Sequence, residues 1–169
     1  MAYYNHRLAV YQDSLYRTRS CIYLNCSVYL TLGKNMHIEE LRKETEEFFK
    51  RHWQEQLGVH PSWSEPWRFV GSIQHGNNVG CYALCSNEKI LYIGVAESGL
   101  GSRTNAYTRM SPAQTPGESR KYVPAPEWHA KQLTHMYTIG FPDDFWYLPA
   151  SLEKYLIRQL CPPENVNGK

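Results

Sequence analysis

The stretch GCYALCSNEKILYIG, Gly80 to Gly94, limits the fold more than any other part of the chain. Two short apolar segments, each with a tyrosine and a bounding glycine, flank a polar tetrapeptide, the pattern of a β-hairpin. Side chains alternate faces along a strand, so Tyr82 and Tyr92 share a face only in an even register. A three-residue connection of Ser86, Asn87 and Glu88 gives that register. Tyr82, Leu84, Ile90 and Tyr92 then line one side, and Cys81, Ala83, Cys85, Leu91 and Ile93 line the other. The second side is a core face. The first carries two converging phenols, with Gly80 and Gly94 leaving room for another backbone or a ligand. The plain alternative is that both tyrosines are ordinary half-buried strand residues.

What surrounds the hairpin is read from periodicity. In HIEELRKETEEFFKRHWQEQLG, Ile38, Leu41, Thr45, Phe48, Phe49, Trp53 and Leu57 recur at helical spacing, with Gly58 as the expected cap. Trp63, Trp67 and Phe69 in residues 59–78 point to an ordered connector laid over a core. A helix is expected near Gly99 to Met110, then a Pro/Ser/Gly-rich loop from Ser111 to Pro126. A third strand is expected from Lys131 to Ile139, and a final helix with a Leu152, Tyr155, Leu156, Leu160 stripe stopped by Pro162 and Pro163. Strand, strand, helix, strand, helix makes a small α+β or α/β sandwich with a mixed sheet.

The N-terminal part is less regular. The apolar run CIYLNCSVYLTLG, Cys21 to Gly33, has strand character but no evident partner. Residues 1–35 form a poorly defined extension, residues 36–77 the helix and aromatic connector, and residues 78–169 the main domain. Composition bounds the rest: 42% hydrophobic and 20% charged residues fit a globular chain, and a net charge of +2 announces no strongly anionic partner. Five cysteines without metal-type CxxC spacing read as free thiols of a reducing compartment, and no segment reads as a membrane span or secretory signal. The expected address is the cytoplasm.

Four side chains beyond the tyrosines are candidates for chemistry. A helix starting near Gly99 sets Arg103 and Tyr107 one turn apart on one face, and arginine offers a phosphate a planar fork that stays charged. Glu153 follows Leu152 in the last helix, where its carboxylate either tucks toward the sheet or stays in water beside Lys154 or Arg158. Asn165 either ties the chain end back to the hairpin or is a turn residue.

In order and spacing, GCY (Gly80 to Tyr82), LYIG (Leu91 to Gly94), LGSRTNAY (Leu100 to Tyr107) and SLEKYLIRQLCPPEN (Ser151 to Asn165) resemble the GIY-YIG nuclease superfamily over about residues 78 to 167. The resemblance implies an α+β fold, a small three-stranded antiparallel sheet flanked by helices, here with an N-terminal helical extension. It implies that Tyr82 is the general base or orients the water, that Tyr92 positions water or phosphate, and that Arg103 binds the scissile phosphate. Glu153 would be the sole protein carboxylate on a divalent metal, Mg2+ or Mn2+, and Asn165 a structural hydrogen-bonding residue. Cys81 stands where the family's first motif usually has Ile. Tyr107 stands where many members have His.

The expected function is a metal-dependent endonuclease of restriction-like, mobile-element or phage-associated kind. DNA is the expected partner, RNA the alternative, with contacts from Arg103, Arg109, Arg120 and Lys121. A double-strand cut calls for a homodimer, a second domain or two visits. Two other readings use the same fold: a catalytically silent nucleic-acid-binding module, and a protein-interaction domain anchored on Trp63, Trp67 and Trp128. Because regular patterning begins at Met36, residues 1–35 read as an upstream extension of the reading frame. Intact mass of the native protein is then expected to give a start at Met36; a Met1 product with protease-resistant residues 1–35 sets that aside.

Overall fold

A computed structural model describes residues 37–111 and 121–166. The readings made for the run from Cys21, for residues 1–35 and for Arg120 lie outside the described residues. Those described belong to one compact unit, Asn35–Lys169.

At the centre is the hairpin, β1 (Gly80–Ser86) and β2 (Lys89–Ala96), joined by Asn87 and Glu88. The turn is one residue shorter than expected. Asn87 takes φ 51°, a left-handed conformation that asparagine tolerates better than most residues. Even parity is restored by a bulge, because Cys85 pairs with Ile90 but Leu84 pairs with Tyr92, leaving Leu91 extra. Ile90 therefore joins Cys81, Ala83, Cys85 and Ile93, while Leu91 joins Tyr82 and Leu84. These two residues trade the faces expected of them, and the tyrosines keep theirs.

The third strand of the sheet, β5 (His135–Gly140), pairs with the other side of β1. The order β2-β1-β5 is antiparallel throughout, so the sheet is not mixed. β5 starts later than the periodicity indicates because Pro126–Ala130 forms a short helix, α3, and Gln132 turns the chain at φ 58°.

One face of the sheet is covered by α1 (Ile38–His52) and α4 (Leu148–Leu160). Leu41, Phe48 and Phe49 from α1 meet Leu152, Leu156 and Leu160 from α4 over Ala83, Ile93 and Ile139. The helix and connector before residue 78 thus share one core with the sheet. α1 ends at His52, well before Gly58, because Trp53 turns to pack its ring against Phe49 and Phe145, at 5.7 and 4.8 Å between centroids. Its indole N–H donates to the Gly58 carbonyl at 3.0 Å. Gly58, at φ 77°, follows a 3-10 turn, Glu55–Leu57, and Leu57 is exposed rather than part of the stripe.

The other face is also buried. Trp67, Phe69, Leu100, Tyr107, Trp128, Leu133 and Met136 cover Tyr82 and Leu84. The expected helix after Gly99 lasts only from Leu100 to Thr104, α2. The chain then enters a two-stranded ribbon, β3 (Thr108–Met110) with β4 (Tyr122–Pro124), so the last residues of the expected helix, and Tyr122–Pro124 of the expected long loop, are strand. Thr108 is β-branched, and its hydroxyl donates to the Thr104 carbonyl at 3.0 Å while its backbone pairs with Pro124. Among the described residues no helix is long and apolar enough to cross a membrane. Cys81 and Cys85 are free, buried thiols. The expectation of free thiols holds at those two and fails at Cys161, which is disulfide-bonded.

A three-stranded sheet has two edges to satisfy. The connector takes the edge of β5: Trp67 N–H donates to Met136 O at 2.8 Å and Met136 N–H to Trp67 O at 3.0 Å, while Ser64 N–H donates to Thr138 O at 2.8 Å. At the β2 edge a single side chain does this work. Asn165, on α5 (Pro163–Val166), accepts from Ile93 N–H through Oδ1 and donates to Ile93 O through Nδ2, both at 2.8 Å. The amide stands where a neighbouring strand would be. Asn165→Ala is expected to lower stability by about 1–3 kcal/mol, the cost of leaving a buried backbone pair unmatched. Asn165→Asp should be no better, since it loses the donor and sets a carboxylate against a carbonyl. Urea unfolding checks both; unchanged midpoints would show the contact to be dispensable.

Candidate functional site

The site is built where β1, β2 and α2 meet. Tyr82 on β1 faces Gly94 on β2, and its ring lies across the glycine's bare backbone. A Cβ at Gly94 would collide with the phenol carbon and oxygen of Tyr82 and come within 2.8 Å of Tyr92 Cε1. A Cβ at Gly80 would run into the Ile139 carbonyl and stand 2.9 Å from Leu100 Cδ1. Neither glycine therefore holds space open for a substrate. The room at Gly94 is filled by the tyrosine itself, and the room at Gly80 by β5 and α2.

Tyr82 is 1% exposed, so its hydroxyl must find partners inside the protein. It lies 2.6 Å from the Tyr107 hydroxyl and accepts from Arg103 Nε at 3.3 Å. Either phenol can be the donor between Tyr82 and Tyr107, and Tyr92 shares hydrogen bonds with both, so the three hydroxyls form one network anchored by the Arg103 N–H. Tyr92 completes a cluster of three phenols, 6.1 Å from Tyr82 and 6.2 Å from Tyr107 between ring centroids. Trp128 braces it edge-on, 5.9 Å from Tyr92 and 5.3 Å from Tyr107.

Arg103 reaches this cluster from α2, but Tyr107 does not share that helix: it lies beyond the end of α2, next to β3. The pair meets all the same, with the guanidinium carbon 5.9 Å from the Tyr107 ring centre. Arg103 is exposed, and with Nε committed to Tyr82 its outer N–H groups face solvent.

Burial is the largest influence on the Tyr82 hydroxyl and pushes its ionisation far above the ordinary phenol range. Tyr107 adds to that rise and Arg103 opposes it without overcoming it. Arg103 therefore does not make Tyr82 a phenolate; burial wins. Tyr92 is raised too, again chiefly by burial, with Tyr107 and Glu153 contributing. Arg103 is held above its usual value by Tyr82, so it stays charged at any working pH.

Glu153 stands on α4, half-buried, on the side of the sheet opposite Tyr82. Burial raises its pKa; a hydrogen bond to the Val95 backbone, Lys154 and Arg103 pull the other way, and Glu97 adds a second nearby negative charge. It feels Arg103 and is felt by Tyr92, which sets it at the same end of β2 as the phenols. Among the described residues it makes no ion pair, and no three His, Cys, Asp or Glu residues gather as metal ligands. A magnesium site does not need such a group. That ion keeps much of its water shell and binds through one or two carboxylates with substrate phosphates, so one open carboxylate with Glu97 nearby fits Mg2+ and does not fit a closed protein cage.

Tyr82, Tyr92, Arg103 and Tyr107 thus converge, with Glu153 in electrostatic reach, while Asn165 fastens Ile93 on the strand that carries Tyr92 and Gly94. Arg109 and Lys121 are exposed on and beside the β3-β4 ribbon, which starts at the residue after Tyr107. Trp63, Trp67 and Trp128 are all buried and are not available as exposed interaction anchors. Trp128 and Glu97 were missed as parts of the site. Neither falls in a recognisable motif, and only folding sets them beside it. Comparison with protein-family models, with curated proteins and with solved structures found no match to this chain.

Two outcomes follow for stability. Gly94→Ala is expected to destabilise the fold by about 1–3 kcal/mol, because the Tyr82 ring has no free space to retreat into; a denaturation midpoint equal to wild type would contradict that packing. The upward shift at Glu153 means the folded protein holds that proton more tightly than the unfolded chain, so its contribution is present below about pH 4.3 and is lost as pH rises through the folded value. Glu153→Gln should therefore gain stability over wild type at neutral pH and not at pH 4, measured as paired thermal midpoints.

Proposed function

We propose that this chain is a GIY-YIG-type nuclease, a metal-dependent endonuclease hydrolysing phosphodiester bonds in DNA. One observation supports the reading above others: four residues drawn from three motifs, Tyr82, Tyr92, Arg103 and Tyr107, share one cluster, with Glu153 close enough to feel the arginine. A packed core alone has no use for an exposed arginine bonded to a buried phenol within electrostatic reach of a half-buried carboxylate.

In this reading Arg103 binds the scissile phosphate. Its Nε is spent on Tyr82, which fixes the plane of the guanidinium and turns the remaining N–H groups outward to meet two phosphate oxygens and the charge that develops on them. Tyr82 is too deeply buried to touch an attacking water. It positions Arg103 and Tyr107. Tyr107 and the half-buried Tyr92, in the same hydroxyl network, then orient the water in line with the leaving oxygen. Glu153 would hold Mg2+ or Mn2+, with Glu97 adding negative charge in its surroundings; when bound, that ion supplies positive charge for the leaving alkoxide and lowers the pKa of its own water. Arg109, Lys121 and Arg120 carry the flanking phosphates.

The test is supercoiled plasmid incubated with the pure full chain, with Mg2+ or Mn2+ and with chelator. Metal-dependent nicking is expected, and Arg103→Ala, Glu153→Ala and Tyr82→Phe should each reduce it by about 100-fold or more with circular dichroism unchanged. Wild-type cutting by Glu153→Ala would remove the metal role. Binding without nicking would select the catalytically silent module instead. Linear product that rises with the square of protein concentration would show that two copies act together.

A further inference from the structure

On the far side of α2 from Arg103 lies a cavity of about 600 Å3 that the phosphodiester chemistry does not use. Successive residues of a helix are about 100° apart. Arg103 points to Tyr82 and Tyr107, whereas Ser102, Thr104 and Asn105 of the same turn line the cavity. Its size lies within the ~300–1,000 Å3 of small-molecule sites. No charged side chain lines it, so it is not built for a phosphate. Hydroxyls and amides dominate instead. Asn77, Ser98 and Asn105 make no side-chain hydrogen bond among the described residues, and can both donate and accept. The apolar part of the wall is Ile73 and the half-buried ring of Tyr122, backed by the buried Trp67 at 5.3 Å between centroids, whose N–H is already donated to Val70 O.

We propose that this cavity receives an unpaired nucleobase of the strand whose phosphate Arg103 holds, an inference that rests on the nuclease reading. The lining matches the two surfaces of a base: amides and hydroxyls for its donor and acceptor edge, aromatic carbon for its face. The cavity is reached from Arg103 around a helix only about 10 Å wide, the scale of a step to a neighbouring nucleotide. A base in a duplex has its pairing edge occupied, so the substrate is expected to be single-stranded, or locally unpaired, next to the cut.

The experiment is an abasic scan. A short single-stranded DNA oligonucleotide and a series with one base removed at each position are titrated onto the full chain by anisotropy, with chelator to prevent cutting; the intact strand is separately tested for cleavage with Mg2+. Loss of the seated base should weaken binding about tenfold at one position, the scale of one base-stacking contact, and little elsewhere. Ser98→Trp, which fills the cavity mouth, should weaken the intact strand as much and erase the positional difference. A flat abasic profile on wild-type protein overturns the proposal while cleavage of the intact strand leaves the nuclease reading standing. If the intact strand neither binds nor is cut while supercoiled plasmid is nicked, the proposal falls and the nuclease reading stands; if plasmid is not nicked either, both fall.

Discussion

Everything at the candidate site depends on one steric fact: the Tyr82 ring lies on the bare backbone of Gly94. That contact lets a large side chain occupy the middle of a sheet face without forcing the strands apart. Buried there, the hydroxyl cannot be left to water, and its two partners, Arg103 and Tyr107, come from a short helix and from the chain just before a ribbon. An unsatisfied buried hydroxyl costs roughly 1–3 kcal/mol, so the phenol constrains both segments. The arginine is held by the core, not merely displayed on the surface.

The rest of the architecture protects this arrangement. A sheet of three strands has as many open edges as a larger one, and a poor ratio of interior to edge. Here one edge is closed by an irregular connector and the other by the amide of Asn165, which supplies both the donor and the acceptor a fourth strand would have offered. Two apolar layers then complete the burial, helices on one face and aromatic segments on the other. The face expected to be open floor is covered. What remains accessible is the rim, where Arg103 is exposed and Tyr92 and Glu153 are half-buried.

Much of this was legible in the chain because periodicity and spacing are local. The stripes of α1 and α4, the hairpin, and a tyrosine face with an arginine, a glutamate and an asparagine following in order could all be read from alternation and turn chemistry. The misreadings share a different cause. Gly58 is where a cap belongs by composition, yet Trp53 ends α1 because its ring has a better place against Phe145. Gly80 and Gly94 were credited with leaving space, which a sequence shows only as missing side chains; folding filled it with a carbonyl and a phenol. Tyr82 is expected as the general base or a water-orienting residue, but its burial, a property of distant segments, raises its pKa and takes it out of reach of water.

The sequence by itself determined the hairpin, the parity that keeps Tyr82 and Tyr92 on one face, and the types of side chain available for chemistry, since each follows from neighbours a few positions apart. Only the tertiary structure decided that a bulge at Leu91, rather than a longer turn, sets that parity, and that Tyr82 holds Arg103 and Tyr107 from beneath. The reason is physical: pairing register, burial and hydroxyl partners are set by contacts between segments far apart in the chain, and those contacts exist only once the core has closed around them.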